Sequence, residues 1–164
     1  MSVSDTIEKK VLLRAPIARV WSAVGDAKRF GVWFGVELDG PFESGKPLRG
    51  RIAPTKVDEE IAKAQEPHRG APFEITVERV EPMRHLSFRW HPFAIDRDKD
   101  YSSEPTTLVS FDLEETRDGT LLTIRESGFD RIPLERRATA FAANEGGWAA
   151  QAKLVERYLM EHAR

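Results

Sequence analysis

Hydrophobic and polar residues alternate along much of the chain, and this alternation predicts β-strands. The first such segment, Thr6–Leu13, places Ile7, Val11 and Leu13 on one side. A short strand is predicted at Val36–Leu38. Later segments alternate with their apolar positions at Leu48 and Ile52, at Phe73, Ile75 and Val77, at Leu86, Phe88 and Trp90, at Val109, Phe111 and Leu113, and at Leu122 and Ile124. Such alternation is typical of an antiparallel sheet with one buried and one solvated face.

Apolar residues at helical spacing predict helices at two places in the chain. After the first strand, Pro16 suits a first helical turn, and a second short helix is predicted from Ala27 to Phe34 with Gly35 ending it. From Pro133 to the C-terminus, an apolar stripe that includes Trp148 and Leu159 predicts one long helix.

The order of these elements indicates the fold class. A strand, a helix pair, about six further strands and a long helix make an α+β protein in which the long helix packs on one face of the sheet. Two long irregular stretches, 53–72 and 92–105, interrupt the strands, and helical spacing in the first predicts a short amphipathic helix. With no repeat or interdomain linker, residues 1–164 are predicted to form a single domain.

Composition narrows the classes of function. The 164 residues carry 25 Lys and Arg against 27 Asp and Glu, a formal charge of −2, so the chain lacks the basic field that nucleic acids require. It contains no cysteine, which excludes disulfides and thiolate metal sites. The polar residues 1–8 do not resemble a signal peptide, and no apolar run is long enough to span a bilayer. We expect a cytoplasmic protein.

Several short motifs, in order, resemble one known family. They are Val20-Trp21, Trp33-Phe34, the run from Val80 to Trp90 (VEPMRHLSFRW), Gly119 to Thr123 and Asn144 to Trp148. Together they are similar to the activator of heat-shock-protein-90 ATPase homologue family, within the START-like, birch-pollen-allergen-like (SRPBCC) superfamily. The resemblance implies a helix-grip fold, with a curved antiparallel sheet of six or seven strands wrapped round the C-terminal helix. Eukaryotic co-chaperones of this family carry a separate N-terminal domain, so we do not expect co-chaperone activity to follow from the resemblance.

The resemblance also implies an internal pocket for a small hydrophobic molecule between sheet and helix. Eight aromatic residues are candidates for its lining: Trp33, Phe34, Phe73, Phe88, Trp90, Phe111, Phe129 and Trp148. Each of them equally suits an ordinary core position, since aromatic side chains bury a large area wherever they lie.

Glu126 and Asn144 are the polar candidates for this pocket. Glu126 shares strand parity with Leu122 and Ile124, so its carboxylate should face the buried side and contact ligand or act as a general acid or base. Alternatively, the strand ends there, or an arginine pairs with it. Near Asn144, Gly146 and Gly147 interrupt the helical pattern, which indicates either a break with Asn144 capping the final helix or a close backbone approach to the sheet or to a ligand.

Catalytic, metal and cofactor motifs are absent from the sequence. There is no GxSxG, Walker or GxGxxG pattern, and the four histidines lack metal-ligand spacing, so we predict no metal and no cofactor. Arg136 and Arg137 are interpreted as part of a solvated face. Three functions stay open: a binding module, an enzyme of the polyketide cyclase or aromatase type, and a protein-interaction module. A homodimer is compatible with all three.

Overall fold

A computed structural model of the chain describes residues 5–94 and 98–161. Seven strands and four α-helices follow one another in the order predicted from the sequence. Their bounds are β1 Thr6–Leu13, α1 Ile17–Gly25, α2 Ala27–Phe34, β2 Val36–Leu38, β3 Pro47–Ile52, α3 Glu59–Gln65, β4 Pro72–Glu81, β5 His85–Trp90, β6 Thr107–Thr116, β7 Gly119–Ser127 and α4 Leu134–Glu161.

The strands form one antiparallel sheet in the order β1-β7-β6-β5-β4-β3-β2. Strand β1 therefore joins the far end of the meander, where Ile7 pairs with Glu126 of β7. Buried residues alternate with more exposed ones along the first part of β4 and of β6, and this confirms one dry face. The predicted α+β class, the sheet of six or seven strands and the long C-terminal helix are confirmed.

Helices α1 and α2 follow one another with only Asp26 between them. Asp26 caps α2 by accepting hydrogen bonds from the backbone N–H groups of Lys28 and Arg29, at 3.0 and 3.1 Å. Gly35, with φ of 97°, ends the helix in the left-handed conformation that glycine adopts most easily. Between the two helices, the indole N–H of Trp33 donates to the carbonyl of Ala23 at 2.9 Å.

The long helix α4 packs on the dry face of the sheet and contacts β1, α1 and α2. Its apolar side chains are buried there: Ala140, Trp148, Leu154, Val155, Tyr158 and Leu159. At its C-terminal end Arg19 of α1 donates to the carbonyl of Leu159 at 2.8 Å. Within residues 5–94 and 98–161, no helix has the length and apolar character needed to cross a membrane.

The stretch between β3 and β4 contains the predicted amphipathic helix, α3. Asp58 begins it by accepting a hydrogen bond from the backbone of Ile61 at 3.0 Å. At its other end, Gln65 donates to the carbonyl of Phe34 at 3.1 Å and accepts from the backbone N–H of Thr55 at 2.7 Å. Side-chain hydrogen bonds thus attach this loop to the end of α2.

Candidate functional site around Glu126

Glu126 lies near the end of β7 with its side chain on the dry face of the sheet. It shares this face with Leu122 and Ile124, as strand parity predicts, and none of its surface is exposed to solvent. The two neighbouring strands place Ile7 and Val109 directly beside it. Apolar residues of both neighbouring strands therefore flank Glu126.

Four side-chain donors contact the two oxygens of this carboxylate. Oε2 accepts hydrogen bonds from the indole Nε1 of Trp90 at 2.7 Å and from the hydroxyl of Thr107 at 2.5 Å. Oε1 accepts from the amide Nδ2 of Asn144 at 2.9 Å and from the indole Nε1 of Trp148 at 2.8 Å. Each oxygen thus has two donors, which satisfies the acceptor capacity of an ionised carboxylate.

Three structural elements bring these donors together. Trp90 ends β5 and Thr107 begins β6, the strand that pairs with β5, so both lie at one end of the sheet. Asn144 and Trp148 lie four residues apart in α4, the spacing that places two side chains on the same helix face. The site therefore forms only when α4 is seated on the sheet.

The charge of Glu126 has no cationic partner in the described part of the chain. Within residues 5–94 and 98–161, no Lys, Arg or His nitrogen lies within 4.0 Å of its carboxylate. The Nδ2 group of Asn144 and the indole N–H groups of both tryptophans donate to it, so three of its four contacts come from neutral N–H groups. Burial of a charge is costly, and four neutral dipoles offset it here without neutralising it.

An aromatic shell surrounds the carboxylate. The Trp90 and Trp148 rings lie 5.7 Å apart between centroids with an interplanar angle of 31°. Phe34 lies 6.0 Å from Trp148, and Phe73 lies 5.9 Å from Trp90. Phe111 contacts Trp148 from the other side at 5.7 Å. The rings are close enough to touch one another, so the space between sheet and helix is filled by side chains in this structure.

Some rings of the shell keep a small surface exposed to solvent. Phe34 and Phe73 keep 6% and 8% of their surface exposed, and Trp90 is partly exposed, whereas Phe88 and Phe111 are fully buried. This exposed edge, made by Phe34, Phe73 and Trp90, is the side from which a molecule could approach Glu126.

The structure brings nine of the ten predicted site residues into one connected cluster. The tenth, Phe129, stands apart from it and packs on Phe141 of α4, with 5.1 Å between ring centroids. Trp33 joins the cluster at its back, through Phe30 and Phe34, at 4.9 and 5.8 Å. That these residues bind a ligand stays a prediction.

Two expectations about the polar residues are wrong. Glu126 neither returns to solvent nor pairs with an arginine, because the strand stays regular to Ser127 and the donors are neutral. Asn144 does not cap a helix, because α4 runs unbroken from Leu134 to Glu161. The glycines that suggested a break, Gly146 and Gly147, face open space, where an added Cβ would meet nothing within 4 Å.

Sequence reasoning missed two further polar residues of this region. Thr107 belongs to the site because it shares parity with Val109 and Phe111, a signal visible in the alternation. Gln151 lies three residues after Trp148 in α4 and donates from Nε2 to the carbonyl of Phe34 at 3.0 Å. Its Oε1 is buried and has no hydrogen-bond partner in the described part of the chain. No pattern in the sequence marks that atom.

The loop 91–106 joins two donors of Glu126, Trp90 and Thr107, and is attached to α4 by ionic contacts. Glu104 accepts from Arg136 at 2.9 Å and pairs with Lys99 at 3.1 Å. Arg136 also donates to the carbonyl of Pro92 at 2.8 Å. Its side chain is 13% exposed, so the prediction of a solvated face at Arg136 is wrong. Burial acts to raise the pKa of Glu104, but the hydrogen bonds and charges of Arg136 and Lys99 together hold this pKa below its ordinary value.

Two open clefts lie elsewhere on the molecule. One, of about 710 Å³, is lined by the start of α2, by β2 and by residues 39–42. The other, of about 570 Å³, is lined by residues 55–60 with Arg157 and Glu161 of α4. None of the ten predicted site residues lines either cleft. In residues 5–94 and 98–161, no three His, Asp or Glu side chains are grouped to hold a metal ion.

The sheet that grips α4 around this buried cluster defines a helix-grip protein. The family model described as "Activator of Hsp90 ATPase homolog 1-like protein" matches residues 14–160, and the chain belongs to this family. The wider superfamily includes proteins that bind hydrophobic ligands and polyketide cyclases. No protein of curated function matches the chain.

Solved structures share the fold along nearly the whole chain. DynU16, from the dynemicin biosynthetic locus, is 27% identical with a TM-score of 0.67; the match covers 96% of this chain and 48% of DynU16, about half its length. The Bacillus halodurans protein BH1534 is 25% identical with a TM-score of 0.65, over 96% of this chain and 99% of that one. A protein of Arthrobacter aurescens, 18% identical, reaches a TM-score of 0.71 over 96% of this chain and 87% of its own.

Proposed function

We propose that this protein binds a small, largely apolar molecule between the sheet and α4, beside the carboxylate of Glu126. The observation that carries the proposal is the fully buried carboxylate with four neutral donors inside an aromatic shell. A few convergent polar groups in an apolar surrounding are typical of small-molecule sites.

Fold stability by itself gives little reason for this arrangement. An apolar side chain at position 126 would continue the face of Leu122 and Ile124 without burying a charge. Instead, four polar side chains from three elements converge on the carboxylate, and such a network is stable only when every member is satisfied. A recognition role explains why polar groups occupy the centre of the core.

Ligand binding in this proposal requires the aromatic rings to separate. At the exposed edge, the rings of Phe34 and Phe73 lie 5.8 Å apart between centroids, and those of Phe34 and Trp90 lie 6.5 Å apart. Rotation of these side chains would expose the indole faces and the carboxylate without unfolding a strand. The ligand would then replace ring–ring contacts with its own apolar surface.

The third function, a protein-interaction module, receives less support than ligand binding, because the outer face of the sheet does not look like a docking surface. That face carries charged pairs that neutralise one another, including Arg125 with Glu8 at 2.6 Å and Arg89 with Glu78 at 2.8 Å. Among the described residues, only four large hydrophobic side chains are exposed, Leu12, Met83, Leu134 and Met160, and the last two lie in α4. The binding module is therefore the better proposal.

The proposal is tested by native mass spectrometry of the protein purified from its own host, followed by analysis of any released small molecule. We expect a retained ligand that raises the melting temperature when added back to ligand-free protein. Thr107→Val, which removes one donor and keeps the side-chain volume, should weaken binding, whereas Glu145→Gln on the exposed face of α4 should not.

The same experiment separates the alternatives. A molecule that is released chemically changed after incubation would favour the enzyme. If no small molecule is retained and none from an apolar library raises the melting temperature, the proposed function is wrong.

A further inference from the structure

We infer that the polar end of the ligand is cationic, a protonated amine on an apolar body; this inference rests on the proposed function and specifies its ligand class. Three features point the same way: the carboxylate of Glu126, an unpaired acceptor on Gln151 in the same helix as Trp148, and the faces of the indole rings.

The first feature is charge. Glu126 brings one negative charge into the core, and its four donors are neutral. Arg136 of α4 is engaged by Glu104, whose other oxygen pairs with Lys99. The aromatic shell is therefore a negatively charged region, and a low dielectric strengthens its attraction for a cation and its repulsion of an anion.

The second feature is the unpaired acceptor. Gln151 lies one turn from Trp148 in α4, and its Oε1 is buried without a hydrogen-bond partner among the described residues. The amide orientation is set by its other end, since Nε2 donates to the carbonyl of Phe34 at 3.0 Å. A buried acceptor without a donor is costly, and a ligand N–H group would satisfy it.

The third feature is the pair of indole rings. Trp90 and Trp148 both donate their N–H groups to Glu126, which polarises the rings and makes their faces more negative. A cation is attracted to such faces, and tryptophan is the most favourable ring for this contact. Phe34 and Phe73 complete the exposed edge beside them. Carboxylate, amide oxygen and ring faces all attract a donor with a positive charge.

The inference is tested with three probes of the same shape: 2-(1-naphthyl)ethylamine, the corresponding alcohol and 1-naphthylacetate. Their affinities for the wild-type protein are measured by isothermal titration near pH 7. We expect the amine to bind at least about tenfold more tightly than the alcohol and the acid to bind most weakly. Because this comparison uses the wild-type protein, it does not depend on the folding of any variant.

The same affinities, measured on single-residue variants, then show which residues cause the preference for the amine over the alcohol. Glu126→Gln should reduce the advantage of the amine over the alcohol, and Gln151→Leu should reduce it in part, whereas Glu145→Gln should leave it unchanged. If the alcohol binds as tightly as the amine, or the acid more tightly, the cation inference is overturned while the proposed function survives. If none of the three binds at about 1 mM, the cation inference is overturned, and the search for a retained ligand decides the proposed function separately.

Discussion

Trp148 of α4 and Glu126 of β7 are joined by a hydrogen bond of 2.8 Å across an otherwise apolar interface. The indole ring adds contacts with Phe34 and Phe111 on either side of the same bond. Apolar packing is nondirectional, so it does not by itself determine how the helix is rotated on the sheet. With Asn144 one turn earlier, this bond gives α4 a single orientation and places two donors on the carboxylate.

Glu126→Gln should destabilise the protein although it changes only one atom. The new NH₂ group would face two N–H or O–H donors in place of an acceptor, and we expect a loss of roughly 2–5 kcal/mol in the free energy of unfolding. Urea denaturation followed by tryptophan fluorescence measures this loss. Glu145→Gln, on the exposed face of α4, is the matched control and should unfold at the wild-type midpoint. A wild-type midpoint for Glu126→Gln would contradict the described network.

Gly146→Ala and Gly147→Ala should each stabilise the protein. Both glycines lie in the middle of α4 in open space, so alanine gains helix propensity worth about 0.5–1 kcal/mol without a steric cost. Gly31→Ala in α2 is the opposite case, because its Cβ would lie 2.2 Å from the carbonyl oxygen of Val36. Thermal unfolding should therefore shift upward for the first two and downward for the third. A decrease for both α4 variants would show that the helix is not continuous there.

Glu104 should make stability depend on pH in the acidic range. Because its pKa is lower in the folded protein, its contribution is present above the ordinary value of 4.5 and is lost as pH falls through the lower folded-state pKa. At pH 7, Glu104→Gln should lower the free energy of unfolding by about 1.5–3 kcal/mol, because Arg136 loses its charged partner. This difference from the wild type should shrink below pH 4.5. Glu114→Gln, at an exposed position of β6, should show no such trend.

The exposed edge should control the rate of ligand binding. Phe73→Leu removes a ring that touches Trp90 at this edge, so the association rate should rise while the interior remains packed. Phe88→Leu removes a fully buried ring and should lower stability without raising that rate. Stopped-flow quenching of tryptophan fluorescence by the naphthyl amine measures both rates. Equal rates for the two variants would place the opening elsewhere.

Local patterns predicted most of the fold. Strand β1 follows the predicted alternation and helix α2 ends where Gly35 places its end, since these signals act within a few residues. The burial of Glu126 also follows from parity, because successive side chains of a regular strand point to opposite faces. The predicted break in α4 was wrong because it relied on the low helix propensity of glycine. The packing of the apolar face of the helix overrides that propensity.

The partners of Glu126 could not be predicted in the same way. Trp90, Thr107 and Trp148 are separated from it by 36, 19 and 22 residues, and no local signal joins them. Arg136 was likewise expected in solvent, whereas the loop 91–106 brings Glu104 against it. Contacts of this kind depend on how a helix and a loop are seated on the sheet.

The sequence by itself determined the order of the elements, the dry face of the sheet and the family to which the chain belongs, because periodicity and ordered motifs are properties of the chain. Tertiary structure alone decided that a carboxylate on that face is held by two indoles, an amide and a hydroxyl, and that aromatic rings close around it. The reason is geometric: hydrogen bonds require atoms within about 3 Å, and only the packing of α4 against the sheet brings these donors that close.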